Sequence, residues 1–173
     1  MFREVGVPLR VEDIEPAPPG PGMVEVRLSA TGVCHTDLSL LNGTIPQQVP
    51  AVLGHEGAGV ITAVGPGVSS VAAGDHVVLS WIVPCRRCVF CLGGQVALCE
   101  RGIDHHFAEP YGTASGDPIA CGLGTGTFAE ATVVPEAAAI RIDPSFPLDL
   151  AALIGCAVVT GVGAVVNVAG VSV

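Results

Sequence analysis

Cys85, Cys88, Cys91 and Cys99 stand in the spacing C-x2-C-x2-C-x7-C. Thiolates are soft ligands, and a loop of this length can wrap four of them tetrahedrally around one Zn2+ at about 2.3 Å. Protein then fills every coordination position, so such a site organises structure and performs no catalysis. Disulfides are the competing use of cysteine. However, seven cysteines is an odd number, and the first residues lack the apolar run of a secretory signal. A reducing, cytoplasmic setting is expected. An iron-sulfur run that starts in the same way continues with x3-C-P, whereas here seven residues separate Cys91 from Cys99 and Glu100 follows.

Two further turns carry metal-capable residues: Cys34 in GVCHTD at 32–37 and His55 in GHEGAG at 54–59. Taken singly, each has a packing explanation, as a small buried hydrophobe or a satisfied imidazole. Combined with Cys156 in Ile154-Gly155-Cys156-Ala157, they supply two thiolates and one imidazole. Three protein ligands with a fourth position open is the pattern of a catalytic zinc. Cys121 belongs to neither set and reads as a buried or loop thiol.

The elements that must position these residues read as mainly β. Val24, Val26 and Leu28 alternate with Glu25, Arg27 and Ser29 as a half-buried strand. Further strands are predicted at 60–64, 77–83, 128–134 and 139–142, punctuated by Gly-Pro-Gly at 65–67 and Gly-Asp at 74–75. The cysteine segment 85–99 has no sustained periodicity of its own, and 100–127 reads as a long loop covering something functional. After Pro147 the apolar spacing becomes helical.

Composition narrows the partners. Seven arginines, no lysine and sixteen acids give a formal charge of −9, which excludes a polyanion-binding surface, so no nucleic acid is expected. Residues 150–173 carry no charge and are long enough to cross a bilayer. They are interrupted by Gly155, Gly161, Gly163, Asn167 and Gly170 and have no basic flank or aromatic belt. A buried helix broken by glycines is expected, and no membrane.

In GVCHTD at 32–37, GHEGAGVITAVGPGV at 54–68, GDHVV at 74–78, the cysteine lobe, GTFAEATVV at 126–134 and GCAVVTGVGA at 155–164, the chain resembles the zinc-dependent alcohol dehydrogenases of the medium-chain dehydrogenase/reductase superfamily. The resemblance implies a GroES-like β-barrel-type catalytic domain over 1–155 with a structural zinc lobe at 85–99. Residues 156–173 would start a helical connection toward a Rossmann domain that these residues do not include. It implies Cys34, His55 and Cys156 as catalytic zinc ligands, Glu56 beside the metal, and Asp37 orienting the ligand histidine. Thr36 would accept the alcohol proton, His35 and Thr160 would face the cofactor, and Trp81 and Ile82 would line the substrate pocket. Where many relatives place a proton-relaying histidine, this chain has Ser39.

The implied activity is oxidation of an alcohol to an aldehyde or ketone by hydride transfer to NAD or NADP, with two Zn2+ per chain. A thiol-dependent formaldehyde dehydrogenase, a polyol dehydrogenase and a non-enzymatic zinc-binding GroES-like module are the alternatives. No G-x-G-x-x-G occurs, so these 173 residues alone are expected neither to bind the cofactor nor to turn over. A small-molecule alcohol or aldehyde is the expected partner. Apolar surface over 150–173 would favour a homo-oligomer.

Overall fold

The computed structural model describes residues 1–107 and 112–172. In chain order, β1 (Glu15–Pro16) and β2 (Met23–Gly32) lead into helix α1 (His35–Leu41), followed by β3 (Ala51–Val52), β4 (Glu56–Val64) and β5 (His76–Leu79). A single turn, α2 (Val89–Leu92), lies within the cysteine segment. Strands β6 (Gly112–Ala114), β7 (Asp117–Cys121), β8 (Ala131–Pro135) and β9 (Ala139–Arg141) precede α3 (Leu148–Ala151) and α4 (Ala157–Gly163).

Two sheets result. One has the order β8-β2-β4-β5-β9 with antiparallel neighbours throughout, and the other runs β1-β6-β7-β3 with β3 and β7 parallel. The alternation in β2 decides its facing: Val24 and Val26 are fully buried with Ile61, Val77, Leu79 and Val134, while Arg27 is exposed. Each such side chain contributes about 1.5–3 kcal/mol by leaving water. A second cluster of Phe2, Leu40, Ala51 and Leu53 seats α1 against the β3 end of the molecule.

Three departures from the sequence expectation have local causes. The strand expected at 77–83 ends at Leu79. Ser80 accepts from the N–H of Ile82 and donates to its carbonyl, turning the chain out of the sheet toward the cysteine lobe. The strand expected at 128–134 begins only at Ala131, because the N–H groups of Thr127 and Phe128 bond instead to Gly54 and Leu53. The stretch 100–127 is no continuous loop: β6 and β7 form a hairpin across Ser115 and Gly116, whose φ angles of 54° and 88° fit the turns that match strand twist. Residues 108–111 of that stretch, and Val173, lie outside the described residues.

The C-terminal segment also differs. Ala151 and Ala152 pack against Ala58 and Val78, but the helical path bends by 55° between 148–155 and 157–168, and Val158, Val159, Val162 and Val166 are exposed. Among the described residues no element covers them, so the expected burial is not found beyond Cys156. No single helix is long and apolar enough to cross a membrane; the bent pair passes by length and composition only.

Gly155 holds the bend in register. A Cβ there would collide with the backbone carbonyl oxygen of Leu79, which has no freedom to retreat from β5. Gly155→Ala is therefore expected to cost about 1–3 kcal/mol, lowering the melting temperature by roughly 2–10 °C, and to displace Cys156. An unchanged thermal melt would contradict this seating.

Candidate metal centre

In the lobe, Sγ of Cys85 lies 4.0 Å from that of Cys91, and Sγ of Cys88 lies 3.9 Å from that of Cys99. A disulfide needs about 2.05 Å. Four sulfurs at about 2.3 Å from a common centre are separated by about 3.8 Å, so the spacing fits a tetrahedral metal. Backbone N–H groups of Cys85 and Arg101 point at Cys99 Sγ, and that of Cys88 at Cys85 Sγ, as expected for sulfurs carrying negative charge. Hydrogen bonds from the N–H groups of Cys91 and Glu100 lower the Cys88 pKa to about 6. Burial and the neighbouring sulfurs push Cys91 up to about 12. Four thiols so arranged cannot all ionise without a cation between them.

The second set comes from three separate junctions. Cys34 follows β2 and caps the N-terminus of α1, His55 immediately precedes β4, and Cys156 sits at the bend before α4. The donor atoms of Cys34, His55, Glu56 and Cys156 all lie within 4.8 Å of one another. Asp37 ties two of these junctions together. Its Oδ1 accepts from the N–H of Gly54 at 3.1 Å and from His55 Nδ1 at 3.3 Å, and its Oδ2 accepts from the N–H of Cys34 at 3.1 Å. With Nδ1–H committed, His55 offers Nε2 to the centre.

Glu56 is buried opposite Gly32 in the β2–β4 register, and a Cβ on Gly32 would collide with its carboxylate. The hydroxyl of Thr31 donates to the Glu56 carbonyl at 2.8 Å and meets the Thr127 hydroxyl at 2.8 Å, which fixes the backbone beside His55.

The electrostatics of this set ask for a cation. Burial opposes ionisation of Cys34, but hydrogen bonds from the backbone and hydroxyl of Thr36 and the adjacent His55 bring its pKa below that of a free thiol. Burial likewise opposes charge on His55, and the Asp37 carboxylate and Cys34 thiolate reverse the balance, raising its pKa. Cys156 is pushed up to about 11 by burial and by the charges of Cys34 and Glu56. Two sulfurs, an oriented imidazole and a buried carboxylate form a donor set suited to Zn2+.

Around this centre the other sequence-predicted residues fall as follows. Thr36 Oγ1 is 3.6 Å from Cys34 Sγ. His35 is exposed, and its Nδ1 lies 3.3 Å from the hydroxyl of the buried Ser39. Thr160 is exposed on the first turn of α4, where its N–H bonds the Cys156 carbonyl at 2.9 Å. The Trp81 ring meets the His55 ring edge-on at 6.3 Å. Ile82 packs beside Gly102 at the edge of the lobe. Sequence reasoning missed His106, whose ring lies 6.0 Å from that of Trp81. The pair His105-His106 is visible in the sequence, yet nothing local connects it with a residue twenty-five positions earlier.

Two recesses lie elsewhere. One of ≈ 240 Å³ abuts the lobe, lined in part by Cys85, Arg87, Arg101 and His105. Another of ≈ 710 Å³ lies under the N-terminal segment, lined in part by Leu9, Glu12, Thr31 and Phe128. Neither is lined by Cys34, His55 or Cys156.

The two sheets and two sulfur-rich ligand sets define a metal-binding β domain. The family described as "Alcohol dehydrogenase GroES-like domain" matches residues 20–144, and the chain belongs to it. It is 43% identical over 178 residues to the alcohol dehydrogenase class-3 of Cereibacter sphaeroides, covering 98% of this chain and 47% of that protein. It is 42% identical to the S-(hydroxymethyl)glutathione dehydrogenase of Paracoccus denitrificans, covering 98% and 48% respectively. The crystal structure of an alcohol dehydrogenase zinc-binding domain protein from Burkholderia ambifaria superposes with a TM-score of 0.90 at 38% identity, over 96% of this chain and 47% of that one. The chain thus spans about half the length of the curated relatives it matches.

Because the lobe has little core of its own, Cys88→Ala is expected to lower the melting temperature clearly, while Cys34→Ala removes metal from the second set with a smaller thermal cost. Thermal melts paired with elemental analysis check the ranking. Equal melting losses would contradict the division.

Proposed function

We propose that these residues are the catalytic-domain portion of a zinc-dependent alcohol dehydrogenase, which in its full length oxidises an alcohol to an aldehyde or ketone with NAD or NADP. The observation that carries the reading is the convergence of Cys34, His55, Glu56 and Cys156 from three junctions onto one point, in a chain of this family. In this reading residues 1–155 are the GroES-like unit and 156–173 lead toward a nucleotide-binding domain. Cys85, Cys88, Cys91 and Cys99 hold a structural zinc, and Cys34, His55 and Cys156 hold a second zinc with Glu56 at its side. Zinc supplies Lewis-acid charge stabilisation, and the nicotinamide supplies the hydride acceptor.

The protein's own side chains bind, orient and carry the proton. Thr36 Oγ1, beside Cys34, takes the alcohol proton, and the neighbouring His35, paired with Ser39 one turn on along α1, offers it a route outward. His35 and Thr160 face the cofactor from the two exposed helix starts. Trp81 and Ile82 line the substrate pocket, with Trp81 the nearer to His55. Asp37 keeps the His55 imidazole in one tautomer throughout.

The partners in this reading are a small-molecule alcohol or aldehyde, without nucleic acid or membrane, and the setting is cytoplasmic. The exposed valines of α4 support a homo-oligomer.

A thiol-dependent formaldehyde dehydrogenase is the second reading, favoured by the 42% identity to the Paracoccus enzyme. The full-length protein, zinc-loaded and supplied with NAD or NADP, is expected to oxidise simple primary alcohols and to lose activity on chelation. A kcat/KM for S-hydroxymethylglutathione at least about tenfold higher than for any simple alcohol, equivalent to roughly 1.4 kcal/mol, would favour the second reading. No turnover of either by the zinc-loaded protein would leave the non-enzymatic module.

A further inference from the structure

After leaving β5 the chain turns tightly through Ser80 and Ile82, with Trp81 between them. His106 meets the Trp81 carbonyl, donating from Nε2 at 2.7 Å. The same imidazole lies against the indole with ring centres 6.0 Å apart and planes tilted by 37°, and the His55 ring meets the indole edge-on at 6.3 Å. Trp81 is therefore held at two points by one side chain: its backbone by a hydrogen bond and its ring by packing.

His106 is itself braced. The His105 ring packs edge-on against it at 4.5 Å, and both imidazoles occupy space that Gly124 leaves open, since a Cβ there would collide with them. Gly124 lies next to Thr125, whose hydroxyl donates to the Gly54 carbonyl at 3.0 Å, one residue before His55. The loop carrying the two histidines thus rests on the same backbone that carries the ligand imidazole. Among the described residues neither buried ring nitrogen of His105 has a hydrogen-bond partner, and burial with the neighbouring His106 lowers its pKa to about 4, so it packs as a neutral ring.

We infer that His106 is a positioning residue that fixes Trp81 over the candidate metal centre and so sets the wall against which the carbon skeleton of the substrate lies. The part concerning substrate rests on the alcohol dehydrogenase reading above; the part concerning Trp81 does not. A flat indole held rigidly beside the centre favours planar, unsaturated alcohols over saturated ones of equal volume.

Trp81 is the only tryptophan in the chain, so its emission reads this contact directly. His106→Leu, which keeps bulk and removes the donor, is expected to shift that emission to the red and increase its quenching by acrylamide. His106→Gln, which restores an N–H donor, is expected to return both toward the parent values. Emission unchanged in a folded His106→Leu protein, or glutamine no better than leucine, would overturn the assignment. If His106→Leu does not fold, the glutamine variant alone decides, by matching or departing from the parent spectrum.

In the active full-length protein, His106→Leu should raise KM for benzyl alcohol about fivefold, roughly the worth of one hydrogen bond, with kcat and the KM for cyclohexylmethanol little changed. Equal losses for both alcohols would overturn the substrate part. Absence of any turnover by the parent protein would refute the alcohol dehydrogenase reading while the emission result still decides the role of His106.

Discussion

A buried carboxylate that accepts three hydrogen bonds connects the parts of this molecule that matter for its chemistry. Asp37 is 4% exposed, and burying its charge would be costly if its oxygens were left unmatched. The N–H of Cys34, the N–H of Gly54 and the Nδ1 of His55 satisfy them. One donor belongs to its own helix cap, and the other two come from 17 and 18 residues away. The start of α1 and the turn into β4 therefore cannot move independently, and the His55 imidazole keeps one tautomer and one direction. Cys156 is located by a separate constraint, the close approach of Gly155 to the Leu79 carbonyl.

Around that carboxylate, space is reserved by residues without side chains and lined by hydroxyls. Gly32 leaves room for the Glu56 carboxylate. Gly54, at φ +96°, lies where a Cβ would strike Thr127 and Phe128. Thr31, Thr125 and Thr127 each direct a hydroxyl to a backbone carbonyl at Gly54 or Glu56. The carbonyls on either side of His55 are thereby bonded, and the turn gains rigidity.

Much of this was legible in the sequence, for reasons that differ by element. The cysteine spacing is a local property, and a fifteen-residue loop brings its own sulfurs together. The alternation in β2 is also local, and it names the buried valines correctly. The union of Cys34, His55 and Cys156 is a property of topology, and it was read through family resemblance because no spacing implies it. The β6–β7 hairpin was hidden because its strands are short and carry Gly112 and Pro118, although Ser115-Gly116 is a recognisable turn signal. Helix α1 was read as a turn: its seven residues are too few to display a periodicity, and its N-cap is a cysteine rather than one of the usual capping residues. The exposure of α4 followed from no sequence pattern, since valine and glycine in that order describe a buried helix as well as an uncovered one. The link between His106 and Trp81 depends on a backbone carbonyl, to which sequence gives no clue.

Metal content and coordination of an Asp37→Ala protein test the central claim most directly. Zinc counted by elemental analysis and viewed by X-ray absorption should fall from about two ions per chain to about one, and the ion that remains should be bound by sulfur alone, as in the lobe of Cys85, Cys88, Cys91 and Cys99. Retention of both ions with nitrogen still in the coordination shell, at an affinity within about tenfold of the parent, would show that Cys34, His55 and Cys156 hold their geometry without Asp37 and would contradict the account.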